Sequence, residues 1–275
     1  MIKTDKKKLK NFICITLAIT LIFVGVFYYI QNIHAHKEGY FVPDYPRIEL
    51  TPNTDYQTIF EQTGLGKSAA QKLIDEDNFD LILEAQETFF NPPNPKCNDM
   101  FSFFVKEDRM DETGVDFVDL QPGDILLSLS THSFGWRHGH AGLVIDDESV
   151  LESEVIGTKS KINPLYHFGT YSNYAVLRIK DVTPKQQEEV VAFAKENLQG
   201  VWYSVAAGFV GDKAPSYESD DFRVQCAYLV WYAYNYFGYD LDSDGGCLVS
   251  TYDILHSDKL EIVQIFGMNP KEFTN

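Results

Sequence analysis

The sequence predicts an α+β fold, an antiparallel sheet packed against helices, carried behind an N-terminal transmembrane helix. Three observations predict it. Residues 11–30, NFICITLAITLIFVGVFYYI, hold no charge, and at about 1.5 Å per residue such a helix matches the roughly 30 Å hydrocarbon core of a bilayer. Short apolar runs set off by turn residues follow one another between 121 and 180, the mark of successive strands. Helical periodicity is confined to other stretches, and strands segregated from helices indicate α+β.

Composition narrows the function. With 275 residues, 44% of them hydrophobic and 23% charged, the chain can bury a core, which excludes disorder, collagen-like sequence and a disulfide miniprotein. The net charge of −17 excludes a nucleic acid partner for the bulk of the protein. Residues 1–10 are the exception, with five lysines and one acid. This basic tip before the apolar run, set against His34, His36, Lys37 and Glu38 after it, predicts a cytoplasmic N-terminus and an acidic body outside the cell membrane. A cleaved signal peptide is the competing reading, with an apolar stretch of only about 7–15 residues, and Ile33-His34-Ala35 is a poor small-x-small cleavage site. Cys14 lacks the small preceding residues of a lipidation site and reads as membrane filler.

Beyond the anchor, residues 31–53 carry Pro43, Pro46 and Pro52 with little periodicity and read as a tether. A helical lead-in of 54–114 follows: Asn53 or Thr54 caps DYQTIFEQTG, Gly64 and Gly66 stop it, and SAAQKLIDEDNFDLILEAQETFF has helical spacing until Asn91-Pro92-Pro93-Asn94-Pro95. From there to Asp119 no single period holds, and Cys97 has no predicted place. The domain proper, 115–275, opens at the turn Gln121-Pro122-Gly123-Asp124. ILLSL, HAGLVID and SVLESEV make an antiparallel meander, and YAVLRIK at 174–180 is a further strand. Thr183 caps a helix with Pro184 at its first position and Gly200 beyond its end. A second helix begins near Cys226, with Cys226, Leu229, Val230, Ala233 and Phe237 on one stripe, and KLEIVQIF at 259–266 is the last strand.

The chemistry-bearing residues lie on these elements. Outside the membrane the cysteines are Cys97, Cys226 and Cys247, an odd number, so at least one is unpaired, and pairing of Cys97 with Cys247 stays open. Cys226 in a first helical turn lies near the positive end of the helix dipole, where a thiolate is favoured. His140, held by a strand after an accessible loop, suits a general base. The turn at Asp147-Glu148 brings VLESE back beside HAGLV, so Glu152 can reach the outer imidazole nitrogen, although Glu154 points to the same face. Each residue taken singly is more simply a core or solvated side chain.

Together, GDILLSL, GHAGLVI, VLES, VQCAYLVWYAYNYFGYDL and VSTYDILHSDKLEIV make residues 115–266 resemble the YiiX-like cysteine hydrolases, a permuted branch of the NlpC-type papain-like superfamily. In that family the His-bearing strand precedes the Cys-bearing helix, and this chain has the same order. The resemblance implies a papain-like fold with Cys226 as nucleophile, His140 as base and Glu152 as the acid. It implies hydrolysis of amide bonds through an acyl-enzyme, with no cofactor and no metal. Tyr203, in GVWY, is either a substrate-binding residue of the cleft or a core aromatic. A membrane anchor beside a cell wall points to wall peptides as the substrate by fold-level analogy alone; a lipid amidase or acyltransferase of the same superfamily and a non-catalytic binding module are the alternatives. Two metal arrangements compete: zinc on His138 and His140 with Cys226 or Cys247, which lacks a tightly spaced second pair, and a calcium loop from Asp240 to Gly245, whose twelfth position is Thr251 rather than Glu.

Overall fold

The computed structural model describes residues 6–29, 40–93, 95–99, 105–110, 114–133, 136–209 and 211–273, and the side chains of these except 6–9, 27, 29 and 95–99. The first five residues of the basic tip and residues 30–39 of the anchor end and tether therefore lie outside the described residues.

The strand patterns make a six-stranded sheet. Its strands are β3 (Ile125–Ser128), β5 (His140–Val144), β6 (Ser149–Glu152), β7 (Lys161–Pro164), β8 (Tyr174–Ile179) and β9 (Leu260–Phe266), in the order β7-β6-β5-β3-β8-β9. Every pairing in it is antiparallel. The predicted meander is β3, β5 and β6, side by side. Because side chains alternate, each strand feeds two cores. Ile125, Leu127, Ala141, Leu143, Leu151, Ala175 and Leu177 face one core, and Leu126, Val144, Val150, Tyr174 and Val176 face the other. Both faces are covered, so the strands read as continuous apolar runs rather than alternating ones.

On the first face lie α6 (Pro184–Phe193) and α7 (Cys226–Asn235). The first of these has the predicted cap, with Thr183 and Gln186 in a capping box and Pro184 at its start. The second departs from the single predicted stripe: Cys226 through Tyr234 are all buried. Its polar aromatic atoms find carbonyl and carboxylate partners, as Tyr228 Oη donates to Lys213 O at 2.8 Å and Trp231 Nε1 to Asp240 Oδ1 at 2.7 Å, which makes so aromatic a helix tolerable in a core.

On the second face lies the lead-in, with α2 (Tyr56–Thr63), α3 (Lys67–Asp75) and α4 (Phe79–Phe90). Asp55, not Asn53 or Thr54, caps α2 by accepting from Thr58 N at 2.9 Å. The stretch expected as one helix breaks after Asp75 because Asp77 takes a left-handed conformation (φ 60°). The lead-in is joined to the sheet through its backbone: Gly66 N donates to Val263 O and Ile265 N to Gly64 O, both at 2.8 Å. A Cβ on Gly66 would sit 1.7 Å from Ile262 O, so the glycines read as helix stops are also what lets the chain approach β9.

Residues 40–53, expected in the tether, are folded against the lead-in. Leu50 is buried, Gln62 Oε1 accepts from Ile48 N at 3.0 Å, and Gln86 Nε2 donates to Ile48 O at 2.9 Å. The reason is polar stitching by two buried glutamines, which leaves no apolar periodicity. The described residues at 95–99 and 106–110, expected in the helical lead-in, are strands. There β1 (Pro95–Asp99) and β2 (Lys106–Met110) join β4 (Thr131–His132) in a second, three-stranded sheet.

At the N-terminus, α1 runs Lys6–Tyr29 as one helix of 24 residues, starting five residues before the uncharged run. Phe12, Leu21, Ile22 and Phe23 on it are exposed. Among the described residues, no helix is long and apolar enough to cross a membrane; the unbroken stretch of described side chains in α1 ends at Val26.

Candidate active site

His140 opens β5 directly after a crowded turn. Gly139 has φ 71°, and a Cβ there would lie 2.6 Å from Ser128 O and 2.7 Å from Thr251 Oγ1, so only glycine fits. Thr251 ties the turn from the other side by donating to His138 O at 2.7 Å. The imidazole lies on the Phe168 ring, 5.4 Å between centroids and 16° from parallel. Glu152 pairs across the strands with Gly142, which puts its carboxylate diagonal to His140 over the one residue without a side chain. His140 Nε2 lies 2.6 Å from Glu152 Oε2. That contact leaves Nδ1 for another partner, and Cys226 lies close enough to the same ring to bear on its titration.

Cys226 is the first residue of α7. Gln225 before it caps the helix, its Oε1 accepting from Ala227 N at 2.9 Å and from Cys226 Sγ at 3.4 Å, while its Nε2 donates to Val249 O at 2.6 Å. The sequence reading missed Gln225, Asn163 and His167. Asn163 Nδ2 donates to Glu152 Oε1 at 2.6 Å, and His167 Nε2 lies 3.2 Å from the same oxygen. Both come from a stretch, 161–169, without periodicity; β7 and the short helix α5 (Tyr166–Gly169) place them. Glu154 takes no part in the contact with His140. It pairs with Lys161 at 2.8 Å, which separates the two carboxylates the sequence left as alternatives.

Burial and hydrogen bonding compete at this site. For His140, burial opposes the charged ring, but the neighbouring Cys226 and the Glu152 carboxylate, which accepts from Nε2, prevail and hold its pKa well above the usual value. For Glu152, burial works against ionisation, yet the His140 and His167 contacts outweigh it and hold the carboxyl well below the ordinary range.

Cys226 and His140 face a cavity of about 310 Å³. Tyr203 lines it, as do Gln225 and Glu154; burial, and then the nearby Cys226, push the Tyr203 phenol upward. The rim is apolar, with Trp136 65%, Ile156 69% and Val205 62% exposed.

Among the described residues the zinc arrangement does not assemble. His138 Nε2 faces Ser133 Oγ at 3.0 Å and Nδ1 faces Gly139 O at 3.1 Å, so both nitrogens are engaged, and burial lowers its pKa. Cys247 is exposed and free, and the side chain of Cys97 lies outside the described ones. Among the described residues, Asp242, Asp244 and Asp253 bring their ligand atoms within 4.8 Å of one another. Their charge is already answered from within, since the Lys213 ammonium pairs with Asp242 and donates to Gly246 O at 2.6 Å.

No family model matches this chain, and no curated protein matches it. Among solved structures it is similar to the crystal structure of metalloprotein yiiX from Escherichia coli O157:H7, DUF1105, with 19% sequence identity, 52% of this chain and 96% of that chain covered, and a TM-score of 0.37.

Proposed function

We propose that this chain is a membrane-anchored, outward-facing cysteine hydrolase of the permuted papain-like type, acting on amide bonds through an acyl-enzyme. The observation that carries the reading is a buried imidazole held by a buried carboxylate and sharing one cavity wall with a cysteine at a helix start. Glu152 fixes the ring so that Nδ1 meets Cys226, and it favours the imidazolium that forms when the thiol gives up its proton. The sulfur then adds to the carbonyl carbon and the C=O electron pair moves onto oxygen. The backbone N–H of Cys226, at a helix start where no intrahelical acceptor exists, is suited to that oxyanion, with Tyr203 lining the same cavity. Collapse expels the amine, which takes the proton from His140. Water, deprotonated by the same ring, releases the acyl group and restores the thiol.

The anchor reading rests on the uncharged run 11–30 of the sequence, of which 11–29 lie in α1, and on exposed apolar side chains of that helix. Position beside a cell wall favours wall peptides as substrate. A second reading, a lipid amidase or acyltransferase, is favoured by the exposed apolar rim of Trp136, Ile156 and Val205.

Alkylation by iodoacetamide, followed at Cys226 by peptide mass spectrometry on the full chain in detergent, tests the reading. Cys226 is expected to react at about pH 6 at least tenfold faster than a free thiol, whose thiolate is scarce below about 8.5. His140→Ala is expected to remove that advantage. Slow alkylation that ignores His140 would overturn the enzyme and leave the binding module.

A further inference from the structure

The three-stranded sheet has two differently furnished faces. Glu107 and Thr131 are register partners on β2 and β4, so their side chains leave the same face side by side. Their neighbours Asp108 and His132 leave the other face, where Asp108 accepts from Arg137 Nη2 at 2.6 Å. Glu107 and Thr131 line the cavity that holds Cys226 and His140, and both are more than nine-tenths buried, at 8% and 5% exposure.

Their polar atoms are not equally satisfied. Glu107 Oε1 accepts from Tyr171 Oη at 2.9 Å, and Oε2 accepts from Arg109 Nε at 3.0 Å and Nη2 at 2.6 Å. Arg109 therefore balances the carboxylate charge. Thr131 Oγ1, beside it, is buried with no hydrogen-bond partner. Buried hydroxyls are almost always paired, and an unpaired one on a cavity wall is suited to orient a ligand.

We propose that Thr131 Oγ1, flanked by Glu107, is a specificity subsite for a neutral hydrogen-bonding group of the substrate, a hydroxyl or an amide, carried by the part that fills the cavity beyond the reacting carbonyl. The inference rests on the hydrolase reading. Glu107 and Arg109 are paired with each other, so this part of the wall offers no unpaired charge to either an anion or a cation. Five other lining residues, Trp136, Val155, Ile156, Val205 and Leu248, suit an apolar chain. The subsite thus selects an apolar chain that bears one uncharged polar group.

The test uses N-substituted 2-chloroacetamides, in ladders graded from ethyl to octyl, ending in methyl, hydroxyl or ammonium. Rates at Cys226 are measured on the full chain and on Thr131→Val, each divided by the same protein's rate with iodoacetamide. The expected result is a hydroxyl preference over methyl of roughly five- to tenfold at one chain length, the worth of one hydrogen bond in a dry site, and its loss in Thr131→Val. Valine keeps the shape and deletes an unpaired hydroxyl, so folding is retained. No hydroxyl preference at any length, or one that survives Thr131→Val, would overturn the subsite. Faster reaction of the ammonium ladder would overturn its neutrality. Failure of the hydrolase reading is seen separately, as slow, His140-independent reaction with iodoacetamide itself, and the ladder ratios are readable even then.

Discussion

Replacing Arg178 with alanine is expected to lower the stability of the folded domain by about 3–5 kcal/mol at neutral pH, a fall in Tm of roughly 6–20 °C for a domain of this size. The guanidinium on β8 makes a two-pronged contact with Asp124, Nε to Oδ1 at 2.8 Å and Nη2 to Oδ2 at 2.7 Å, and also donates from Nη1 to Asp119 Oδ2 at 2.9 Å. The Asp124 side chain is completely buried and that of Asp119 nearly so. Removing the arginine strands a carboxylate in the core, and burial already pushes the Asp124 carboxyl upward against the arginine. In the variant Asp124 therefore binds a proton more tightly folded than unfolded, so the folded state gains as pH falls. The deficit is accordingly expected to shrink between about pH 7 and pH 4. Denaturant unfolding at the two pH values measures it, and a loss below about 1 kcal/mol at pH 7 would show that the pair is not buried as described.

Glu152→Gln is expected to cut the His140-dependent reactivity of Cys226 by about 10²–10⁴-fold with little change in volume. The amide retains one acceptor, but its NH₂ meets donors, because His140, His167 and Asn163 all point at this carboxylate. The pH dependence of stability should change with it. His140, raised in the folded state, contributes stability that is complete below its unfolded pKa of about 6.5 and is lost as pH rises through the folded value. Glu152, lowered in the folded state, contributes stability that is complete above about 4.3 and lost only as pH falls through its own lower value. Wild type is thus expected to lose stability above about pH 6.5 through this pair, and Glu152→Gln to lose much less over the same range. Thermal melts of both proteins across pH 5–9 read this out; parallel curves would mean that the imidazolium is not held by Glu152.

Much of the central sheet was legible because ILLS, HAGLV, SVLE and YAVLRI are uninterrupted apolar strands with turn residues between them. One short turn at Asp147-Glu148 then fixed which carboxylate could lie diagonal to His140. The second sheet was not legible. β2 reads Lys-Glu-Asp-Arg-Met, a solvated-looking run whose Glu107 and Arg109 are engaged by Tyr171 and Thr170, about sixty residues away. The Glu107 and Thr131 wall of the cavity was invisible for that reason. Likewise the break between α3 and α4 rests on the backbone of Asp77, and Asn163 and His167 reach Glu152 from a stretch with no period. Residues 40–53 are held by Gln62 and Gln86, side chains that usually signal solvent.

The backbone contact of Gly64 and Gly66 with β9 bears on how the chain can be divided. β9 is the last strand on its side of the sheet, and such a strand offers a row of unsatisfied amides and carbonyls to any extended peptide nearby. The lead-in occupies that row at Val263 and Ile265. A truncation beginning at residue 115 would keep Cys226, His140 and Glu152 while uncapping a strand whose residues include Ile262, Val263 and Ile265. Its first liability would be self-association along that open border rather than any defect in the cleft.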